Sequence, residues 1–357
     1  MHKLLVINPG STSTKIAIFE DEQLILEQVL RHSGQDLAKY ERVVDQFQFR
    51  KNAVLDALQV AQVKKSDLAA VVGRGGVIRP IPGGTYRVND GMLADLRDIS
   101  LGEHASDLGG LLAYDIAKEY GIPAFIVDPV VVDELAPVAR FSGSPLIERK
   151  SIFHALNQKA IARRAARELG KEYGDANLVV AHLGGGISVG AHLRGRVIDV
   201  NNALDGDGPF SPERSGGLPA FGLAKLCLSG QYTEAEVRRL IVGRGGLMAY
   251  LGTNDAREVV ERIEQGDEQA RLVYEAMSYQ IAKEIGSAAT VLRGNVDAIV
   301  LTGGLAYDQT YLVEWIRQRV QFIAPVLVYP GEDELLALAQ GALRVLNGQE
   351  AALEYRP

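Results

Sequence analysis

Leu4-Leu5-Val6-Ile7-Asn8-Pro9-Gly10-Ser11-Thr12-Ser13-Thr14-Lys15 is the stretch that decides the fold. Its apolar start, residues 4–7, predicts a buried strand, and Asn-Pro-Gly predicts a tight turn. The apolar positions between residues 14 and 19 predict a second strand that returns beside the first. Because glycine lacks a Cβ, a turn of this kind lets backbone N–H groups approach an anion closely.

The same plan recurs in the second half of the chain. Residues 178–181 predict another buried strand, His182-Leu183-Gly184-Gly185-Gly186 a glycine-rich turn, and residues 188–193 and 197–200 the strands that follow. Without gaps Asn8 matches His182 and Gly10 matches Gly184, a constant offset of 182 − 8 = 174 residues. We interpret this as an internal duplication. Two unrelated hairpins in a glycine-rich chain are the alternative, since the matched segments are short.

Helical and strand patterns alternate around the two hairpins, which is typical of an α/β protein. The predicted helices are residues 50–63, 108–120, 152–169, 233–242, 256–264, 269–292 and 332–346, and the further strands are residues 68–72, 124–127, 298–302 and 326–329. The pattern breaks at residues 132–149, where prolines and a glycine occur. We therefore predict two lobes, residues 1–140 and 141–329, with residues 330–357 packing back on the first.

Composition excludes several classes of protein. The 357 residues are 47% hydrophobic and 23% charged, enough apolar material for two cores. A net charge of −7 gives no basic field for nucleic acid or an anionic membrane, so neither is an expected partner. The one cysteine, Cys227, excludes an intrachain disulfide and a Cys-rich zinc site, and we expect a buried thiol. The apolar run at residues 4–7 is too short for a signal peptide, so we expect a cytoplasmic location.

The standard nucleotide-binding motifs are missing. No Gly-x-x-x-x-Gly-Lys-Ser/Thr sequence occurs, and Gly184-x-Gly186-x-x-x-Gly190 has the wrong spacing for a dinucleotide fingerprint and leads into a strand. What remains is one glycine-rich turn in each half, and two such turns that face each other would hold a triphosphate. A third glycine-rich element, Gly303-Gly304, follows a predicted strand and would let the backbone lie against an adenine or ribose. Each turn taken alone has a purely structural explanation.

Five charged or titratable residues are candidates for chemistry. Arg74 is flanked by glycines, which leaves its guanidinium unobstructed, and Arg214 lies in a long turn-rich loop, residues 205–217. His182 stands at the second glycine turn, and His104 precedes a predicted helix. Asp128 follows the predicted strand 124–127, where an α/β sheet places ligands and metals. The alternative for each is a role as a surface or packing residue. We expect the other four histidines to be structural or solvated, with no constellation around His2 and His32.

Several of these segments together resemble the short-chain carboxylate kinases of the acetokinase family. They are Asn8–Ser13, His182–Gly186, Leu301–Gly304, Asn254-Asp255-Ala256-Arg257 and Gly331-Glu332-Asp333-Glu334-Leu335, so the likeness runs over nearly the whole chain. The resemblance implies two duplicated ribonuclease-H-like lobes of the actin-like ATPase fold, with a nucleotide cleft between them. It also implies a reversible reaction of ATP with a carboxylate to give an acyl phosphate and ADP, assisted by Mg²⁺. The segments resemble most the members that act on butyrate.

The resemblance also implies roles for individual residues. Arg74 and Arg214 match the two substrate arginines, His104 and His182 the two transition-state histidines, and Asp128 the catalytic aspartate. Asn8 matches the asparagine on the metal and phosphate side, and the metal-side glutamate is best matched by Glu334, with Glu332 close enough to compete. The residues that match the nucleotide-binding positions are Ser11, Thr12, Ser13, Lys15, Gly184, Gly185, Gly186, Asp255, Arg257, Gly303 and Gly304.

Departures from the acetate kinase pattern bear on the substrate. Gly75 and Gly76 follow Arg74 where acetate kinases carry bulkier residues, and Ala181 stands before His182 where they often have an aromatic residue. Smaller walls predict a longer acyl chain, butyrate or isobutyrate, because each buried methylene is worth about 0.8 kcal/mol. An acetate or propionate kinase is the alternative within the family, and an actin-like nucleotide switch is the alternative from another class. We expect a small carboxylate and a nucleotide as partners, and a homo-oligomer.

Overall fold

The computed structural model describes residues 1–357, which form twelve strands and twelve α-helices. The strands are β1 (Lys3–Pro9), β2 (Ser13–Glu20), β3 (Gln23–Arg31), β4 (Ala70–Arg74), β5 (Thr85–Arg87), β6 (Ala124–Val127), β7 (Asn177–Leu183), β8 (Ile187–Leu193), β9 (Arg196–Val200), β10 (Ala298–Gly303), β11 (Val326–Pro330) and β12 (Leu353–Glu354). The helices are α1 (Gly34–Leu37), α2 (Phe47–Val60), α3 (Asp90–Asp95), α4 (Asp107–Tyr120), α5 (Ala155–Glu168), α6 (Ala220–Cys227), α7 (Glu234–Ile241), α8 (Gly246–Leu251), α9 (Ala256–Glu264), α10 (Glu268–Val291), α11 (Leu312–Val320) and α12 (Glu334–Leu346). None of these helices combines the length and the apolar character that crossing a lipid bilayer requires.

Each of two units has its own sheet and core. Residues 1–132 and 333–357 form the first unit, and residues 133–332 form the second. The sequence-based boundaries, after residues 140 and 329, lie within eight residues of these divisions. The carboxyl-terminal helix α12 packs on β1, β4 and β6 of the first unit.

The first unit is built on a seven-stranded sheet of order β12-β5-β6-β4-β1-β2-β3. Strands β1, β4 and β6 run parallel, whereas β1, β2 and β3 form an antiparallel meander. Residues Leu4 to Ile7 of β1 are fully buried. A near-continuous apolar run of this kind suits a strand whose sheet is covered by helices, here α4 and α12.

The second unit repeats this arrangement in a five-stranded sheet of order β11-β10-β7-β8-β9. Strand β7 is parallel to β10 and antiparallel to β8, as β1 is to β4 and β2. Strand order and direction therefore coincide with β6-β4-β1-β2-β3. Asn8 and His182 are each the last residue but one of the equivalent strands β1 and β7. The predicted duplication and α/β fold class are confirmed, and the alternative of two unrelated hairpins is wrong.

Two sequence-based expectations outside the site are wrong. Cys227 is exposed at the end of α6, because neither α6 nor α7 buries any residue and the thiol therefore finds no core to enter. His32, which we expected to have no surrounding constellation, is buried and its Nε2 lies 2.9 Å from the hydroxyl of Thr14. Both errors concern contacts between segments, which local patterns do not contain.

Candidate functional site

Asn8, Arg74 and Glu334 form one cluster in the first unit. Asn8 lies near the end of β1, Arg74 is the last residue of β4, and Glu334 is the first residue of α12. The amide of Asn8 donates to Oε2 of Glu334 at 2.7 Å, and Arg74 forms an ion pair with Oε1. The adjacent parallel strands β1 and β4 end at the same edge of the sheet, which brings the first two residues together. The competing Glu332 belongs to the other unit and is not part of this cluster.

Glycines let helix α4 approach strand β4 and so fix the backbone at Arg74. A Cβ added at Gly73 would collide with the backbone of Gly109 on α4, and one added at Gly109 would collide with the carbonyl of Arg74. A Cβ at Gly75 would lie 2.7 Å from Cβ of Pro129, and one at Gly76 would collide with Asp107. Protein atoms thus fill the space beside Gly75 and Gly76. The expectation that these two glycines make room for a longer acyl chain is wrong.

His104 is held at the amino end of α4. Its Nδ1 lies 2.8 Å from the hydroxyl of Ser106, and its backbone N–H donates to Oδ2 of Asp107 at 2.7 Å. Although the residue keeps an exposed surface, lost hydration of the ring lowers the pKa of His104, and the nearby charge of Arg74 lowers it further while Asp107 raises it. Burial raises the pKa of Asp107. A neutral imidazole near pH 7 is a hydrogen-bond donor that adds no charge.

Asp128 occupies a strained backbone position. It follows β6 directly, is buried, and has a φ of +38°, a region that residues with a Cβ rarely adopt. Its Oδ1 accepts from the backbone N–H of Gly84 at 2.6 Å. Strain of this kind costs of order 1–3 kcal/mol and tends to persist where function requires it.

His182 is fixed from three sides in the second unit. It is buried near the end of β7, where its Nδ1 lies 2.8 Å from Oδ1 of Asn157 and its Nε2 lies 3.1 Å from Oε1 of Glu332. The ring of His154 stacks on it at 3.8 Å between centroids, with 12° between the planes. Oxygen acceptors therefore face both nitrogens of His182, and its ring has one orientation.

The second glycine turn lies against Arg214. A Cβ added at Gly186 would collide with the guanidinium, so only glycine permits this approach. Nη1 of Arg214 donates to the carbonyl of Ala203, whereas the buried Nε has no hydrogen-bond partner. Burial lowers the pKa of Arg214, and Glu213 and Asp205 oppose this effect. A buried guanidinium N–H without an acceptor favours an anionic ligand.

A cavity of about 910 Å³ opens beside this turn, within the second unit. That volume suits a nucleotide-sized ligand. Five predicted nucleotide-binding residues line it, namely Gly184, Gly185, Asp255, Arg257 and Gly304. Ten further lining residues were not predicted to bind a nucleotide, and six of these are Pro212, Glu213, Asn254, Tyr307, Asp308 and Glu332. The structure thus brings together residues that are 120 positions apart in the sequence, from Gly184 to Gly304.

Two of the predicted nucleotide-binding residues, Gly303 and Asp255, also have structural roles. Gly303 has a φ of +92°, exchanges backbone hydrogen bonds with Gly331, and has no room for a Cβ beside Leu183. Asp255 caps α9 by accepting from the N–H of Arg257, and the hydrogen bonds to Arg257 lower the pKa of Asp255 to about 2. The fold by itself therefore accounts for both residues.

The first glycine turn is exposed. Ser11 and Thr12 lie between β1 and β2 with exposed side chains, Ser13 begins β2, and the side chain of Lys15 is exposed two residues later. Beneath the turn lies a fully buried arginine, Arg50, that the sequence analysis did not single out.

Sequence reasoning also missed the two residues that orient His182. His154 and Asn157 are polar residues three positions apart at the start of α5, where His154 is the cap residue and Asn157 is buried. Residues with this spacing share one helix face. Polar residues at this spacing beside a glycine-rich turn histidine were therefore only a weak signal.

Oxygen donors suited to Mg²⁺ occur at the first cluster. No group of three or more His, Cys, Asp or Glu side chains is arranged as a metal site. Mg²⁺ needs fewer protein ligands than that, because it is usually held by one or two carboxylates together with waters and substrate phosphates. The carboxylate of Glu334, with the amide of Asn8 hydrogen-bonded to it, fits this requirement.

Comparisons with known proteins agree with this architecture. Residues 143–327 match the family model of the acetokinase family. Butyrate kinase 1 of Clostridium acetobutylicum is 60% identical over 356 residues, covering 100% of both chains. The crystal structure of Porphyromonas gingivalis acetate kinase matches with a TM-score of 0.81 at 20% identity, covering 97% of this chain and 100% of that one. A propionate kinase from Francisella tularensis matches with a TM-score of 0.74 at 22% identity, covering 96% and 99%. At these identities the two structures establish the fold.

Proposed function

The chain belongs to the acetokinase family, and on that premise we propose that butyrate is its preferred acceptor. It is an ATP-dependent phosphotransferase with a carboxyl group as acceptor. The observation that carries the choice of butyrate is the identity of 60% over the full length with a butyrate kinase. ATP and ADP are its nucleotides, in keeping with the family.

The reaction needs no strong general base. Simple carboxylic acids have pKa values of about 4 to 5, so the acceptor is ionised at pH 7. One carboxylate oxygen bonds to the γ-phosphorus while the bond from that phosphorus to the bridging oxygen of ADP breaks, and no proton moves. Catalysis therefore depends on positioning and on neutralising the charge of the transferring group.

The two arginines are suited to different parts of this task. We assign Arg214 and His182 to the oxygens of the transferring phosphoryl group, since both flank the glycine turn 184–186 and Arg214 has a buried N–H without a partner. We assign Arg74 to the acceptor carboxylate, because it already pairs with the carboxylate of Glu334, a group of the same chemistry. The ring of His104, which lies close enough to Arg74 for their charges to interact, supplies a further donor.

Mg²⁺ and its ligands are part of the proposal. When bound, the ion neutralises charge on the phosphate oxygens. Asn8 and Glu334 are the residues we expect to hold it, with Asp128 contributing through water. The mutual contact of the first two supports this assignment.

A series of acids tests the proposed acceptor. Purified enzyme is assayed with ATP and Mg²⁺ and with acetate, propionate, butyrate, isobutyrate and valerate, and the acyl phosphate is trapped as its hydroxamate. We expect the highest kcat/KM with butyrate, about tenfold or more above acetate, because two further methylenes are buried. An Arg214→Ala variant purified in the same way controls for contaminating kinases. A higher kcat/KM with acetate or propionate would contradict the choice of butyrate, and no product with any acid would contradict the activity.

Association into a homo-oligomer and a cytoplasmic location stay predictions. Helices α6 and α7 support association, since they bury no residues and leave Phe221 74% and Leu228 87% exposed. Light scattering coupled to size-exclusion chromatography measures the assembly. A monomer at micromolar concentration would contradict the first prediction.

A further inference from the structure

One buried side chain forms hydrogen bonds with the backbone of the turn at residues 10–13. Arg50, on α2, is fully buried. Its Nη1 donates to the carbonyl oxygens of Gly10 at 2.8 Å and Ser13 at 2.9 Å, and its Nη2 donates to that of Ser11 at 3.1 Å. These three carbonyls are thereby drawn towards the interior.

The remaining donors of the guanidinium are occupied as well. Nε and Nη2 donate to Oε1 of Gln46 at 3.0 and 2.8 Å, and Nη1 lies 3.1 Å from the hydroxyl of Thr14. Every N–H of Arg50 therefore has an acceptor. The hydroxyl of Thr14 also lies 2.9 Å from Nε2 of His32. The turn thus rests on a closed network of hydrogen bonds.

This network decides which way the turn's N–H groups point. In a trans peptide group the C=O and the N–H point in opposite directions. The carbonyl of Gly10 shares its peptide group with the N–H of Ser11, and the carbonyl of Ser11 shares its own with the N–H of Thr12. Because both carbonyls face Arg50, both N–H groups face outwards, and neither donates to an acceptor within the chain. Two adjacent outward N–H groups make a concavity that binds anions.

The charge of Arg50 acts in the same direction. All its acceptors are uncharged, namely three carbonyls, an amide oxygen and a hydroxyl. Burial lowers the pKa of Arg50, but an arginine side chain stays protonated in proteins. A positive charge without a carboxylate partner therefore lies directly beneath the turn and attracts an anion placed above it.

We propose that Arg50 is a positioning residue for phosphate binding, which holds the N–H groups of Ser11 and Thr12 outwards for the phosphate oxygens of ATP. The inference rests on the proposed function, because that function makes the anion a phosphate group of ATP. Arg50 itself touches neither substrate nor nucleotide. Its effect is to keep two weak donors in the one arrangement in which both can bind.

The test separates phosphate binding from the binding of the nucleoside. Arg50→Lys keeps the charge, but its three donors cannot serve all five acceptors. We expect the Kd for MgATP to rise about tenfold, equivalent to the loss of one or two hydrogen bonds, and the Kd for adenosine to change less than about twofold. Amide hydrogen exchange in residues 8–14 should become faster. Gln46→Met, which keeps Arg50 and removes one of its acceptors, should shift both readouts in the same direction.

Lys51→Met is the matched control. Lys51 is the next residue of α2, is largely buried, and joins α2 to α4 by ion pairs with Asp115 and Glu119, without touching the turn. Its replacement should lower stability and leave the Kd for MgATP unchanged. If folded Arg50→Lys and Gln46→Met bound MgATP as tightly as the wild type, the inference would be wrong. A wild-type chain that does not bind MgATP would contradict the proposed function itself.

Discussion

Nε2 of His182 lies 3.1 Å from Oε1 of Glu332, whereas Glu334, two positions later and the first residue of α12, forms an ion pair with Arg74. Two glutamates two residues apart thus serve different units and different partners. This division makes their functions separable by mutation.

We expect Glu334→Gln and Glu332→Gln to differ in their dependence on Mg²⁺. Loss of the Glu334 carboxylate should raise the Mg²⁺ concentration for half-maximal activity about tenfold or more. The reason is that this carboxylate is a proposed Mg²⁺ ligand and also orients the amide of Asn8. Glu332→Gln is the matched control and should leave that concentration unchanged while lowering kcat through His182. Mg²⁺ titrations of initial rate measure both. Equal shifts in the two variants would contradict the assignment.

Asn157→Leu should lower kcat about tenfold or more, because His182 loses the acceptor that holds its Nδ1. The KM for ATP should change little, since Asn157 is buried and does not line the cavity beside Gly184. Gln158→Leu, at the next position of α5, removes hydrogen bonds to Ser188 and His192 instead and is the control for stability. Steady-state kinetics with urea unfolding distinguishes the two. A kcat for Asn157→Leu equal to that of Gln158→Leu would show that the contact is only structural.

Gly186→Ala should imitate the loss of Arg214. The added methyl group would displace the guanidinium, so kcat should fall by about 10³ or more, as it does when an arginine leaves a phosphoryl-transfer site. Gly217→Ala lies in the same loop as Arg214, and its Cβ would meet only a carbonyl at 3.7 Å, so it should keep nearly normal activity. Circular dichroism checks that both variants fold. Normal turnover of Gly186→Ala would remove Arg214 from the mechanism.

Gly76→Ala should affect stability and not acyl-chain preference. Its Cβ would collide with Asp107, whose carboxylate accepts from the N–H groups of Val77 and His104, and overpacking of this kind costs about 1–3 kcal/mol. The ratio of kcat/KM for butyrate to that for acetate should stay the same in the folded fraction. A shift of the ratio towards acetate without a loss of stability would restore the view that Gly76 lines the acyl pocket.

Stability should fall as the pH drops below about 6.5, partly because of His192. This histidine is fully buried between Tyr173 and Gln158, and burial, aided by the charge of Lys159, lowers its pKa well below the usual value. The unfolded chain therefore takes up the proton first, so unfolding is favoured from about pH 6.5 downwards. The change in unfolding free energy between pH 7.5 and 5.5 should be smaller in His192→Gln. An equal change in both chains would contradict this role.

The sequence alone determined the local architecture. Apolar runs and glycine turns depend on residues a few positions apart, and they sufficed to predict β1, β2, β7 and β8, the duplication and the α/β class. The same local motifs placed Asn8, Arg74, His182 and Arg214 at strand ends or turns, where the structure has them.

Only the tertiary structure decided which side chains meet. The contact of Arg74 with Glu334 joins residues 260 positions apart, and it depends on how α12 packs on the sheet. Packing between elements also produces three further contacts. Arg50 donates to the carbonyls of the turn, His154 stacks on His182, and Asp107 fills the space beside Gly76. Hydrophobic periodicity predicts which face of a helix or strand is buried. Which residues of other elements pack against that face depends on the fold of the whole chain. That is why the opening turn was predictable and the arginine beneath it was not.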